Sequence, residues 1–288
     1  MGLIKINNLL LFIINGVIII EVYIVDKYIE IDTMTIRLMF SNTVQNSSEI
    51  LRFIKEFNSD LGSVFGNGDR NVIKLFDLSD HTINIKSFKI PNIINKVAYK
   101  YFRKSKAKRS FEFATILLQK GIGTPRPLAY LEKFNFIGLR DSYYVSEHLE
   151  TELTYRELVE MPNYPDHENI LRQFTRFSFD LHEKGIEFLD HSPGNTLIKK
   201  EENGIYGFYL VDLNRMNFHA NMDFEMRMKN LCRLTPKKDM IAIMSNEYAV
   251  LYGVAEQEIF NTLWKYTTEF QEKFYRKKRL KKKMLFWR

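Results

Sequence analysis

The sequence predicts an α+β chain of two lobes, and three observations carry that expectation. Between Gly66 and Lys89, NVIKLFDL alternates in part and INIKSFK alternates again, with turns before each, as strands do. From residue 167 onward apolar side chains recur at three- and four-residue spacing, as on helices. A polar loop at 190–195 lies between helix-like and strand-like flanks. Strands first and helices afterwards is an α+β order. The 288 residues suffice for two lobes. With 45% hydrophobic and 27% charged residues, a chain disordered throughout is excluded. The single cysteine, Cys232, excludes an intrachain disulfide and a multi-cysteine zinc site, and it fits a reducing compartment.

Residues 1–40 read as an apolar N-terminal extension. Positions 9–20 are apolar apart from Asn15 and Gly16, and Glu21 interrupts the run. A spanning helix needs about 20 mostly apolar residues, so this run is marginal. No small-x-small cleavage site follows, which is a poor fit to a secretory signal. Residues 1–33 are therefore expected to be extraneous, with Met34 an alternative start, or weakly membrane-associating.

Residues 41–147 form the first expected lobe. NVIKLFDL and INIKSFK alternate as strands on either side of the turn SDHT. A basic stretch, 96–109, leads into a helix at SFEFATILLQKG that places Phe113 and Leu117 on one face and stops at Gly121. GIGTPRP breaks the chain, and LAYLEKF and SYYVSEHLE read as two further strands. Residues 148–272 form the second lobe. In HENILRQFTRFSFDLHEKG, Ile170, Phe174, Phe177 and Leu181 make one apolar stripe that Gly185 ends. TLI is strand-like, two short strands are expected around KK-EENG-IYGFYLVDL, and helices beyond Asn221.

The chemistry concentrates in Asp190-His191-Ser192-Pro193-Gly194-Asn195. An aspartate and an asparagine four residues apart follow an amphipathic helix, and Asp212 ends the apolar strand YLV. Phosphoryl transfer needs this set: one carboxylate to orient a substrate hydroxyl, and an amide with a second carboxylate to hold Mg²⁺ on nucleotide phosphates. The order matches D-x-x-x-x-N followed by a metal-binding aspartate. Upstream, Lys86 in INIK sits where a phosphate-contacting strand lysine is expected, with Lys89 as the competing choice. Glu112 is the only acid between Lys86 and Gln119, and so the partner expected on the next helix. Gly66 and Gly68 are candidates for a short phosphate-covering turn. Ser146–Leu149 would form the hinge, with backbone groups of Glu147 and Leu149 pairing with adenine.

These segments resemble the lipopolysaccharide core kinases that act on Kdo or heptose, members of the protein-kinase-like superfamily. The resemblance spans roughly residues 60–250. It rests on RNVIKLFDL, INIKSFK, RSFEFATILLQKGIGTPRPLAYLE, YYVSEHLE, LDHSPGNTLI and LVDLNRMNF. It implies a sheet lobe with one main helix, a mostly helical lobe, and ATP with Mg²⁺ as cofactors. By resemblance Asp190 is the catalytic base, Asn195 and Asp212 are metal ligands, and Lys86 and Glu112 are the nucleotide lysine and its partner. The acceptor implied is a lipid-linked sugar of the Kdo-lipid A type, reached from the cytoplasmic face of the inner membrane. Departures from the general pattern are Phe188 in place of the H-R-D histidine, Leu213-Asn214 after the metal aspartate, and no A-P-E segment. They argue against a regulated protein kinase. A small-molecule or protein kinase of the same fold, and an inactive membrane-peripheral pseudokinase, remain the alternatives.

Charge adds a partner. The net charge is +7, yet residues 273–288 hold nine basic side chains and no acid. In that tail the cations alternate with Phe274, Tyr275, Leu280, Phe286 and Trp287, a composition suited to an anionic membrane surface. A solvated tail is the plain alternative, and nucleic acid, motivated by the tail alone, is not expected.

Overall fold

The computed structural model describes residues 2–6, 9–14, 17–22, 35–42, 44–66 and 71–286. Two compact units emerge, Met1–Gln119 with Pro125–Leu149, and Lys120–Thr124 with Glu150–Arg288. The first unit is a nine-stranded antiparallel sheet. Its strands are β1 (Gly2–Ile6), β2 (Leu9–Ile14), β3 (Val17–Val22), β4 (Thr35–Phe40), β5 (Ser63–Phe65), β6 (Asn71–Asp77), β7 (Thr82–Phe88), β8 (Pro127–Phe134) and β9 (Leu139–Glu147). They run in the order β1-β2-β3-β4-β8-β9-β7-β6-β5. Its helices are α1 (Ser47–Lys55), α2 (Ile93–Tyr101) and α3 (Lys106–Gln119).

The part of the sheet formed by β4 and β6–β9 packs against α1 on one face and α3 on the other, and strand periodicity decides which residue goes where. Ile83 and Ile85 of β7 are fully buried with Val145, Leu131 and Tyr143 against α1, whose Ile50, Phe53 and Ile54 fill that core. Each such aliphatic side chain removed from water contributes about 1.5–3 kcal/mol. Lys86 and Phe88 have the opposite parity, and Phe88 packs with Tyr130 against Ala107 and Phe111 of α3. The two isoleucines thus share one face and Lys86 the other, as the alternation requires.

Three details differ from the sequence reading. The buried face of α3 is Ala107, Ser110, Phe111, Ala114 and Leu117, and Phe113 is only half-buried. Spacing alone fits either aromatic, and the docking of α3 over Tyr130 selects Phe111. Thr35–Phe40, assigned to the extension, is a strand inside the sheet: it pairs with β8 throughout and buries Leu38. The apolar runs before it pair as antiparallel strands, β3 on β4 and β2 on β3, so their polar backbone is met by neighbouring strands.

The second unit carries β10 (Leu153–Thr154), α4 (Tyr155–Glu160), α5 (His167–Glu183), β11 (Ile186–Phe188), β12 (Thr196–Lys200), β13 (Tyr206–Leu210), β14 (Met216–Phe218), α6 (Phe224–Leu231), α7 (Lys238–Tyr252) and α8 (Glu256–Phe286). Its core joins Ile170, Leu171 and Phe174 of α5 with Tyr155, Met244, Tyr248, Ile259 and Leu263. Phe177 is half-buried beside that core, and Gly185 follows α5 at φ +69. The basic tail through Phe286 is the last part of α8, a continuous helix of 31 residues.

Candidate active site

The loop after β11 is held from several sides. Asn195 ends a 3-10 turn, Pro193–Asn195, and its Nδ2 donates to the Asp190 carbonyl at 2.8 Å. The Val211 N–H donates to the Asn195 carbonyl at 3.0 Å, which ties the loop to the chain leaving β13, one residue before Asp212. Asp212 has φ +60, a left-handed conformation that costs a non-glycine residue about 1–3 kcal/mol. The Asn214 N–H donates to the Asp212 carbonyl and Asn214 Nδ2 to Asp212 Oδ1, both at 2.9 Å, so a tight local turn supports the strained residue. The structure therefore brings Asp190, Asn195 and Asp212 together as neighbours on one hydrogen-bonded framework.

Cations surround this framework. Arg215 Nη1 donates to Asp190 Oδ1 at 3.0 Å and fixes the carboxylate's direction. Arg233 Nη1 donates to the Leu189 carbonyl at 2.8 Å. A side-chain carbon added at Gly194 would lie 2.6 Å from Arg156 Nη2, so only glycine leaves that guanidinium its place against the loop. Arg156 is delivered by α4, which starts at the Thr154–Glu157 capping box.

Beneath the loop lies a buried polar chain. His182 Nδ1 and the Tyr248 hydroxyl are 2.8 Å apart, and His182 Nε2 lies 3.2 Å from Asn230 Oδ1. Asn230 Nδ2 donates to the Phe188 carbonyl at 2.9 Å. One tautomer satisfies all three: Nε2–H donates to Asn230, and Nδ1 accepts from the tyrosine. Burial pushes the His182 pKa down to about 3 and that of His191 to about 4. His191 is enclosed by the rings of Phe174 and Phe188, each 5.8 Å away. A protonated imidazole there would have no solvent to meet. Sequence reading missed Arg156, His182, Asn230 and Arg233 because they are brought in from α4, α5, α6 and the turn after α6. The T-x-x-E pattern that starts α4 was the one local signal available for Arg156.

In the first unit, Lys86 lies inside β7 opposite Tyr144 of β9, which in turn is opposite Tyr130 of β8. Its Nζ is 5.4 Å from the Phe88 ring centroid. Lys89 follows the end of β7 and is exposed. Glu112 sits on α3, which covers this same face. Tyr130 has its pKa pushed up to about 12 by burial and then by the carboxylates of Glu132 and Glu112. The ion pair of Glu112 is with Lys104, at 2.9 Å, a residue of the loop entering α3. Asn84 of β7 donates from Nδ2 to the Glu147 carbonyl at the end of β9, at 3.4 Å. The Glu147 carboxylate pairs with Arg126, and the His148 N–H donates to the Thr82 carbonyl at 2.9 Å. Leu149 is the last residue of this unit. Gly66 follows β5 at φ +79, and Gly68 lies outside the described residues.

No cluster of three His, Cys, Asp or Glu side chains able to hold a metal occurs among the described residues. A dedicated protein cage is thus absent among them. A Mg²⁺ shared with nucleotide phosphates needs only one or two protein ligands, and the donor set of Asn195 and Asp212 fits that. With Nδ2 of Asn195 committed to Asp190, its amide oxygen is the atom left to act as a ligand.

No family model matches the sequence, and no curated protein does. Solved structures do match. One of them, WaaP in complex with acyl carrier protein, aligns with a TM-score of 0.57 over 83% of this chain and 99% of that one, at 14% identity. The fold is kinase-like. In a kinase-like fold, the sheet unit with α3 and the mostly helical unit are the two lobes the sequence predicted, and the loop at 190–195 lies in the helical one.

Proposed function

We propose that this protein is an ATP-dependent kinase whose acceptor is an inner-core sugar, Kdo or heptose, of a lipid A-type glycolipid. The single observation that carries the reading is the framework uniting Asp190, Asn195 and the strained Asp212. The WaaP-like fold and the sequence resemblance to lipopolysaccharide core kinases support it.

In this reading Asp190, aimed by Arg215, accepts the hydrogen bond of the sugar hydroxyl and orients it toward the γ-phosphate. Asn195 and Asp212 hold Mg²⁺, which neutralises charge on the phosphates when bound. Lys86 contacts the nucleotide phosphates, with Glu112 on the same sheet face as its partner. Glu147 and Leu149 offer backbone groups to adenine, and Gly66 and Gly68 shape the turn over the phosphates. Arg156 and Arg215 place positive charge beside the loop, which suits an anionic acceptor. Catalysis then comes from positioning and charge rather than covalent chemistry. No helix among the described residues is long and apolar enough to cross a membrane. Access to a lipid-linked acceptor on the inner face of the inner membrane is accordingly assigned to peripheral attachment, with the basic end of α8 as one contact.

The acceptor class is tested by offering Mg-ATP with detergent-dispersed Kdo-lipid A, soluble Kdo and heptose, and a protein substrate. The proposal expects label in the glycolipid. Label confined to soluble sugar or to protein would replace the lipid-linked acceptor with that alternative.

A further inference from the structure

α2 is a helix with an unusual outer face. None of its residues is buried. Ile93, Ile94 and Tyr101 are 69%, 80% and 64% exposed, and Phe102 just beyond the helix is 86% exposed. The adjoining β8–β9 turn adds Phe136 and Ile137, also exposed. Helix and turn are one surface. A side-chain carbon at Gly138 would lie 2.3 Å from the Lys96 carbonyl, so the turn backbone lies directly against α2. Lys100 Nζ donates to the Asn135 carbonyl at 3.0 Å and to that of Phe136 at 3.3 Å, closing the other end.

Water does not favour such a contiguous display of large apolar groups on a soluble protein. The charge around it says what covers it. Residues 93–109 contain seven basic side chains and no acid. Lys104 is taken up by Glu112, whereas Lys96 and Arg103 form no ion pair among the described residues, and Arg103 stacks 5.8 Å from the Tyr99 ring. Apolar and aromatic groups flanked by cations are complementary to the boundary between anionic headgroups and acyl chains. A cavity of about 330 Å³ on the flank of the helix has a mixed lining, with Lys89, Asn95 and Lys106 beside Phe88, Ile90 and Leu139.

We infer that the α2 helix and the β8–β9 turn form a membrane-docking surface that inserts Ile93, Ile94, Tyr101, Phe102 and Phe136 into an anionic bilayer. The inference rests on the membrane-side reading above and adds a second attachment point to the α8 tail.

The test is sedimentation of the full chain with vesicles of phosphatidylcholine alone or mixed equally with phosphatidylglycerol, without nucleotide. Wild type is expected on the anionic vesicles. Ile94→Glu with Phe102→Glu is expected to weaken that binding roughly tenfold or more, and Lys96→Gln with Arg103→Gln to weaken it on anionic vesicles only. A variant with Lys277, Lys278, Lys281 and Lys282 changed to Gln should keep the part of binding that Ile94 and Phe102 control. All these positions are exposed or half-buried, so an unchanged thermal midpoint verifies folding. Unaltered binding of the Ile94/Phe102 variant overturns the inference. So does an Ile94-dependent dimer by light scattering, or Ile94-dependent capture of an acidic carrier protein, without vesicle binding. Because no ATP is present, failure here leaves the phosphotransfer proposal standing, and failed phosphotransfer leaves the vesicle result intact.

Discussion

His182 and His191 are neutral because burial holds their pKa near 3 and 4, below the ordinary 6.5 of the unfolded chain. Below pH 6.5 the unfolded state therefore binds protons that the folded state refuses. Stability is complete above that pH and is lost as pH falls toward 4. At pH 5 the loss is about 2 kcal/mol for each histidine. Urea midpoints at pH 7 and pH 5 check this: His191→Leu should remove about half of the loss from these two residues, and an undiminished loss would show that His191 is not involved. Arg215 is the other residue whose role geometry sharpens. Its bond to Asp190 aims the carboxylate, so Arg215→Ala should lower kcat by about 10²-fold. Affinity for ATP should be unchanged, as measured by nucleotide titration.

α4 shows how an element serves the loop it touches. The Thr154 side chain accepts from Arg156 N–H, and Glu157 Oε2 accepts from the Thr154 N–H at 2.7 Å, which fixes where the helix begins and where Arg156 emerges. Thr154→Ala should cost about 1 kcal/mol in urea unfolding and also reduce activity through a displaced Arg156. Loss of stability with full activity would separate Arg156 from the site. Much at this scale was legible in the sequence. β6 and β7 fall at the alternating segments, β8 and β9 fall at LAYLEKF and SYYVSEHLE, and α5 carries its expected stripe before Gly185. The face of α3 was misread because helical spacing cannot choose between Phe111 and Phe113 until a docking partner exists. Arg156, His182 and Asn230 were illegible because their meaning depends on contacts between α4, α5, α6 and the loop, separated by tens of residues. The Asp190–Asn195 loop could be singled out in the sequence because its candidate residues are local: six consecutive positions, with Asp212 two residues beyond β13.

The whole molecule is nearly neutral outside its last sixteen residues, which hold nine cations, eight of them on the last part of α8. Such a charge acts on where the protein resides more than on how it folds. Changing Lys277, Lys278, Lys281 and Lys282 to Gln should slow phosphorylation of glycolipid embedded in anionic vesicles. The rate on the same lipid dispersed in neutral detergent should be kept. Equal loss in both would place the tail in acceptor binding instead of membrane attachment.

The most direct test of the account follows labelled γ-phosphate from Mg-ATP to Kdo-lipid A with wild type and Asp190→Ala side by side. The account predicts label in the lipid with wild type and its loss in the variant while ATP binding persists. Label that survives the substitution would contradict the assignment of Asp190 and with it the reading of the loop.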